Sequence, residues 1–582
     1  MHDRILRNGL LVDGTGAAPR IVDVAMSDGV ITQVGEVTGP AKEETDCSGM
    51  VVTPGFVDIH THYDGQATWD PQLAPSCYHG VTTAVMGNCG VGFAPVHPDK
   101  HNFLIELMEG VEDIPGAALS EGIQWEWETF PEFLDALDRR EFIMDIGTQV
   151  PHAAVRAYVM GQRGADNEPA NAGEIARMAS IVKDGMAAGA LGFSTSRTLV
   201  HRALNGEPVP GTFAAEDELF GIGRVLGELD TGVFEVAGAG VSGDDLLAPL
   251  AEFDWMRRLS AEINRPVSFL ILQVDGAPTQ WKELLDLSAD AAREGAQLYP
   301  QVAGRGFGML TGFKTDMNFF TVCPTYQSLL ELPFDERIER MRKPEVKAAI
   351  LEERRNARRR TLFDEQLHRI FPLGPELNYE PTPDMGIMAM AERQGKSVEE
   401  VLFDEMMAED GYALLLVPMF NYSDGSYDPI RQMIEHPHAV LGLGDGGAHC
   451  GFICDASLQT FMLTHWVRDR TRGDRLPLEF AVRRMTKDTA NLFGLHDRGV
   501  VAPGMKADFN IIDMDALTLE RPEMVYDLPA GGRRLLQKAS GYKATIVSGV
   551  DVMRDGEPTG RYPGRLIRGA QDAPSASVVA AA

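Results

Sequence analysis

Short apolar runs alternate along the chain with longer segments of helical composition. The runs fall at 51–60, 81–88, 143–150, 189–195, 231–237, 266–273, 296–302 and 439–445. Strand-like runs separated by crossover-length helical segments are the signature of parallel strands. Eight of them predict an α/β chain built as a (β/α)8 barrel of the TIM type. A ninth run, Tyr412 to Phe420, exceeds that count, so one of the nine is an accessory segment or part of a helix.

The two ends of the chain have a different texture. Leu10-Leu11-Val12, Val22–Met26 and Val30-Ile31 are separated by Asp13-Gly14 and Asp28-Gly29, a pattern of short strands joined by hairpin turns. Similar runs return at 507–513 and 542–547, which predicts one small β body made from both termini. Residues from about 306 to 395 break the barrel rhythm with a charged helical stretch at Glu336–Arg360, and are expected to form an insertion. The Ser-, Ala- and Pro-rich end, 569–582, is expected to be a disordered tail.

Composition narrows the function. With 582 residues, 44% hydrophobic and 24% charged, the chain is long enough for one large domain and a smaller body with a substantial core. Its 53 Lys and Arg against 85 Asp and Glu give a formal charge of −32, which disfavours nucleic acid and anionic membrane as partners. Six cysteines spread through the chain fit reduced thiols rather than a disulfide framework. No apolar run reaches membrane-spanning length and the N-terminus has no long apolar signal segment, so a cytoplasmic protein is expected. A homo-oligomer is compatible with all of this.

The candidate chemistry begins at Gly55-Phe56-Val57-Asp58-Ile59-His60-Thr61-His62. Side chains alternate along an extended chain, so His60 and His62 share one side and reach one ion. They also follow directly on a strand, where the catalytic residues of such barrels gather.

From Val52 through His62 the chain resembles the opening signature of the amidohydrolase superfamily. Tyr63–Pro71 is similar to its N-acyl-D-amino-acid deacylase (D-aminoacylase) branch. Gly87-Asn88-Cys89-Gly90, Gly192–Thr195 and Pro503–Asp508 extend the similarity to nearly the whole chain. The resemblance implies a β-sandwich from both termini, 1–54 with 498–568, flanking a barrel over 55–497. It further implies a catalytic Asp after the last barrel strand, here Asp445, as metal ligand and general acid/base. It also implies Cys89 as a thiolate ligand, and zinc as the ion for imidazole, thiolate and carboxylate together. Iron and manganese are the alternatives.

The branch also carries histidine ligands after its fifth and sixth strands, and here Val233–Gly238 and Pro266–Gln273 contain none. Glu235 or Gln273 would be weaker oxygen donors in those places. Three outcomes stay open. One ion rather than two is held by His60, His62 and Asp445 with Cys89 as fourth ligand, which is the expectation adopted here. Alternatively His152, His201 or His449 is recruited, or metal and catalysis have been lost. Arg156, Arg197 and Arg305 each offer a bidentate fork for a substrate carboxylate, and His152, His201 and His449 are further substrate-contact candidates. The expected substrate is a small-molecule amide, most simply an N-acyl amino acid. A cyclic amide, a carbamate or a deamination substrate is the alternative, and a non-catalytic scaffold is the rival from another class.

Overall fold

A computed structural model describes residues 1–359, 361 and 363–575. Both chain ends contribute to one nine-stranded sheet. His2–Leu11, Arg20–Ser27, Val30–Gly35, Ala41–Asp46 and Val51–Pro54 come from the start, and Phe509–Ile512, Tyr542–Val547, Val550–Arg554 and Glu557–Pro558 from the end. The halves meet where Val52 pairs antiparallel with Ile511. Asp28 and Gly29 both take positive φ, 51° and 74°, between Ser27 and Val30. That is the twist a two-residue hairpin requires. Leu6, Leu11, Val52, Phe509 and Ile546 bury one face of this sheet.

Two parallel arcs follow. Phe56–Asp58, Val81–Met86 and Asp145–Thr148 form the first. Val150–Pro151, Gly192–Ser196, Val233–Ala237, Val267–Leu270, Leu298–Val302 and Val440–Leu441 form the second, all parallel in that spatial order. Only Gln149 separates the arcs at one junction. At the other, the Asp445 N–H donates to the His60 carbonyl at 3.0 Å and the His62 N–H to the Gly446 carbonyl at 2.7 Å. Every one of the eight expected runs contains a strand of these arcs.

The intervening helices carry local start and stop signals. Ala172–Ala188 opens at Asn171, whose side chain accepts from Gly173 and Glu174 while Glu174 returns to the Asn171 N–H, and it closes at left-handed Gly189. Among the described residues, no helix is long and apolar enough to cross a membrane, and all six cysteines are buried and unpaired.

The ninth run is the strand Leu415–Pro418, which lies antiparallel between Gly308–Thr311 and Phe371–Pro372 and belongs to neither arc. With the helices Phe334–Met341 and Pro344–Asn356 it packs around a separate core that includes Phe313, Phe320, Phe403 and Val417. In the C-terminal tail, Gln571 exchanges backbone hydrogen bonds with Gly494 and His496, and residues 576–582 lie outside the described residues.

Candidate metal centre

The strand Phe56–Asp58 delivers His60 and His62 into a closed interior, where each is 1% exposed. Gly55 is required at its start, because a Cβ there would lie 2.1 Å from Thr82 Oγ1. Thr61, between the two histidines, points the other way and gives its hydroxyl proton to the Val85 carbonyl at 2.9 Å. The imidazole centroids lie 5.4 Å apart.

Cys89 reaches the same place from the turn after Val81–Met86. Its φ of 56° is left-handed and it lies between Gly87 and Gly90, also left-handed. A Cβ on Gly87 would meet the Gln149 carbonyl oxygen at 2.5 Å, so the backbones must touch there. Asn88 locks the turn, donating to the Thr61 and Val85 carbonyls and accepting from the Gln149 amide. The Gly-Asn-Cys-Gly motif is therefore a device for aiming one thiol.

Ligand atoms of His60, His62 and Cys89 all lie within 4.8 Å of one another. Cys89 Sγ is 3.4 Å from His60 Nε2. Asp445 Oδ1 stands 3.4 Å from His60 Nε2 and 3.7 Å from His62 Nε2. His60 Nδ1 faces Gln301 Oε1 at 2.8 Å, and Gln301 is itself oriented by donating to Ser268 Oγ. An amide oxygen can only accept, so the His60 proton sits on Nδ1 and the lone pair on Nε2 points at Cys89 and Asp445.

Burial sets the charge states. It pulls His60 down to about 4 and His62 to about 3, so both imidazoles are neutral and carry free lone pairs at neutral pH. Burial pushes the Cys89 thiol well up, with Glu235 and Glu112 acting in the same direction. Burial also raises Glu235 to about 8, and the Asp445 charge adds to it. Four acidic groups, Cys89, Glu112, Glu235 and Asp445, crowd beside two neutral imidazoles, and a divalent cation among them would favour their ionised forms.

The strand positions without histidine divide. Glu235 accepts the Cys89 N–H through Oε2 at 3.0 Å, while its Oε1 is buried with no partner. Gln273 is fully used elsewhere: its amide holds Ser423 and Asp424, and its N–H donates to Asn421.

His449 lies beside the centre, with Nε2 3.9 Å from Asp445 Oδ2. His201, held by Ser196 Oγ at 2.9 Å, is lowered to about 3 by burial and by its neighbour His449. His152 is placed apart, buried between Thr195 Oγ1 at 2.8 Å and Glu218 Oε1 at 2.9 Å. Arg156 shares that Glu218. Arg197 is taken by Glu252 at 2.7 Å and Arg305 by Asp455 at 2.8 Å. Two neighbours of the centre had no signal in the sequence: Gln301, inside an expected strand, and Glu112, at the end of helix α1 (His101–Glu112).

Residues 43–553 match the model of the family described as the amidohydrolase family. The chain is similar to a D-aminoacylase of Alcaligenes xylosoxydans xylosoxydans, 28% identical over 585 aligned residues that cover 97% of each. It is also similar to an N-acyl-D-glutamate deacylase of the same organism, 24% identical over 97% of this chain and 96% of that protein. A solved D-aminoacylase structure superposes with a TM-score of 0.65 at 24% identity, covering 98% of this chain and 100% of that one. The N-acyl-D-glutamate deacylase of Bordetella bronchiseptica, solved with zinc and a phosphonate inhibitor, superposes with a TM-score of 0.64 at 22% identity, over 97% of this chain and 99% of that one. These likenesses establish a shared fold.

Proposed function

The chain belongs to the amidohydrolase family and is a hydrolase of carbon–nitrogen bonds, and from that premise we propose that it cleaves a linear amide of the N-acyl amino acid type. We read the two parallel arcs as one (β/α)8 ring over 55–497, with the residues 1–54 and 498–568 as its companion β domain and the centre at the C-terminal ends of the strands. The observation that carries the proposal is the convergence of His60, His62 and Cys89, whose ligand atoms lie within 4.8 Å of one another, with Asp445 Oδ1 at 3.4 Å and 3.7 Å from Nε2 of the two histidines.

His60, His62, Cys89 and, more loosely, Asp445 would hold a single zinc ion, with a position left for water or a carbonyl. When bound, zinc polarises a carbonyl and lowers the pKa of water to about 7. Asp445 does the proton work. Its carboxylate takes a proton from the attacking water and delivers it to the departing nitrogen, while its backbone N–H, bonded to the His60 carbonyl, fixes it against the first ligand.

One observation favours a second reading, in which the substrate carries no carboxylate and is a cyclic amide or carbamate. The forks of Arg197 and Arg305 are already filled by Glu252 and Asp455. Hydrolysis assays on N-acetyl-D- and N-acetyl-L-amino acids beside cyclic amides of the same size separate the two. Turnover of the acyl amino acids supports the first proposal, and turnover confined to the cyclic amides replaces it with the second.

A further inference from the structure

Glu112 lies beside the centre but follows none of the strands that build it. It ends helix α1, and the next residue, Asp113, turns left-handed with φ 52°. The helix end is clamped onto the loop after Asp445 by three hydrogen bonds. The His449 N–H donates to the Glu112 carbonyl at 2.5 Å and the Cys450 N–H to the Asp113 carbonyl at 3.2 Å. The Gly451 N–H donates to Asp113 Oδ2 at 2.7 Å. A carboxyl group is thereby fixed, 2% exposed, between two imidazoles.

Glu112 Oε1 lies 3.4 Å from His62 Nδ1, and Oε2 lies 3.7 Å from His449 Nε2. Among the described residues these imidazoles are the only ion-pair partners recorded for Glu112, and it has no lysine or arginine. His62 Nδ1 and Glu112 Oε1 are both buried, and neither makes a hydrogen bond, to the other or to any other group. Two buried polar atoms that face only each other are a pair by elimination. The two atoms are close but not aligned as a hydrogen bond, and contacts of this kind tighten when a site is loaded.

We propose that Glu112 is the positioning residue of the metal centre, accepting the Nδ1–H of His62 so that the His62 Nε2 lone pair is presented to the ion beside that of His60. The arrangement then treats the two imidazoles alike. Gln301 holds the proton of one on Nδ1, Glu112 holds that of the other, and both Nε2 atoms face Asp445 Oδ1. Burial, with Asp445, Asp64 and Glu235 beside it, pushes the Glu112 carboxyl well up; a cation in the centre would favour its charged form, which makes His62 the more basic ligand. Through its second oxygen and the α1 clamp, Glu112 also ties the ligand strand to the loop that carries Asp445.

This inference rests on His62 being a ligand, so the test includes that residue. Zinc affinity is measured by competition with a chromophoric chelator on the full chain and on the variants Glu112→Gln, Glu112→Leu and His62→Ala. Melting of the metal-free proteins and the visible spectrum of the cobalt-loaded ones are recorded alongside. The inference predicts that Glu112→Gln binds zinc about 10- to 100-fold more weakly, with a shifted cobalt band and an unchanged metal-free melting temperature. Glu112→Leu weakens binding further. Affinity of Glu112→Gln within about twofold of the parent, while His62→Ala loses the metal, overturns the role of Glu112 alone. Full affinity in His62→Ala overturns the ligand assignment beneath it. A fall in metal-free melting temperature that accounts for the loss of affinity makes Glu112 structural and overturns the inference as well.

Discussion

Gln301 Oε1 accepts the Nδ1–H of His60 at 2.8 Å, and this contact decides which nitrogen of His60 is free to bind an ion. Gln301→Leu removes the acceptor and leaves a buried imidazole N–H unpaired, at a cost of about 1–3 kcal/mol in stability. Zinc affinity in the same variant falls about 10- to 100-fold. Denaturant unfolding of metal-free protein and chelator competition measure the two effects separately.

Asp445→Asn keeps the backbone bond to the His60 carbonyl but cannot accept a proton. Turnover should fall by a factor of about 10²–10⁴ while the metal stays bound. Retained turnover would refute the acid/base role of Asp445.

The fold holds His60 near 4 and His62 near 3 by burial, and His449 near 4 likewise. The unfolded chain protonates the same groups near 6.5, so it binds more protons than the native state between that value and about 4. Metal-free protein should therefore lose stability steadily as pH falls through this window, as thermal melts at successive pH values will show. Cys89 gives the opposite end of the profile. Its thiol lies well above its usual range, so a bound ion must displace a proton, and apparent zinc affinity should rise about tenfold per pH unit near neutrality.

Glu380 stabilises a region remote from the centre. It is buried and costly to desolvate, yet Arg470, His465 and the Tyr427 N–H hold its carboxyl down at about 2. A depressed carboxylate stabilises above its unfolded pKa and loses that contribution as pH falls through the folded one. At about 1.4 kcal/mol per unit, this pair of limits is worth on the order of 3 kcal/mol. Glu380→Gln should be less stable by about that amount at pH 7, and the gap should shrink between pH 4.5 and about 2 in denaturant unfolding.

The sequence showed what depends on local pattern and withheld what depends on contact. The eight strand runs and the pair His60 and His62 are legible because period and position belong to one short segment. Leu415–Pro418 was ambiguous because four buried apolar residues look the same in a parallel or an antiparallel sheet. The arginines looked available because their partners are distant in sequence: Glu252 is 55 residues from Arg197, and Asp455 is 150 from Arg305. Glu112 carries no motif, since a helix end clamped to the 449–451 loop is what brings it to His62.

The central claim is that His60, His62, Cys89 and Asp445 hold one catalytic ion, and the most direct measurement is the metal content of the purified chain after expression in metal-supplemented medium. The account predicts about one zinc per chain, lost in His60→Ala together with the stability the ion confers. Less than about a tenth of an ion per chain, with His60→Ala as stable as the parent, would contradict it.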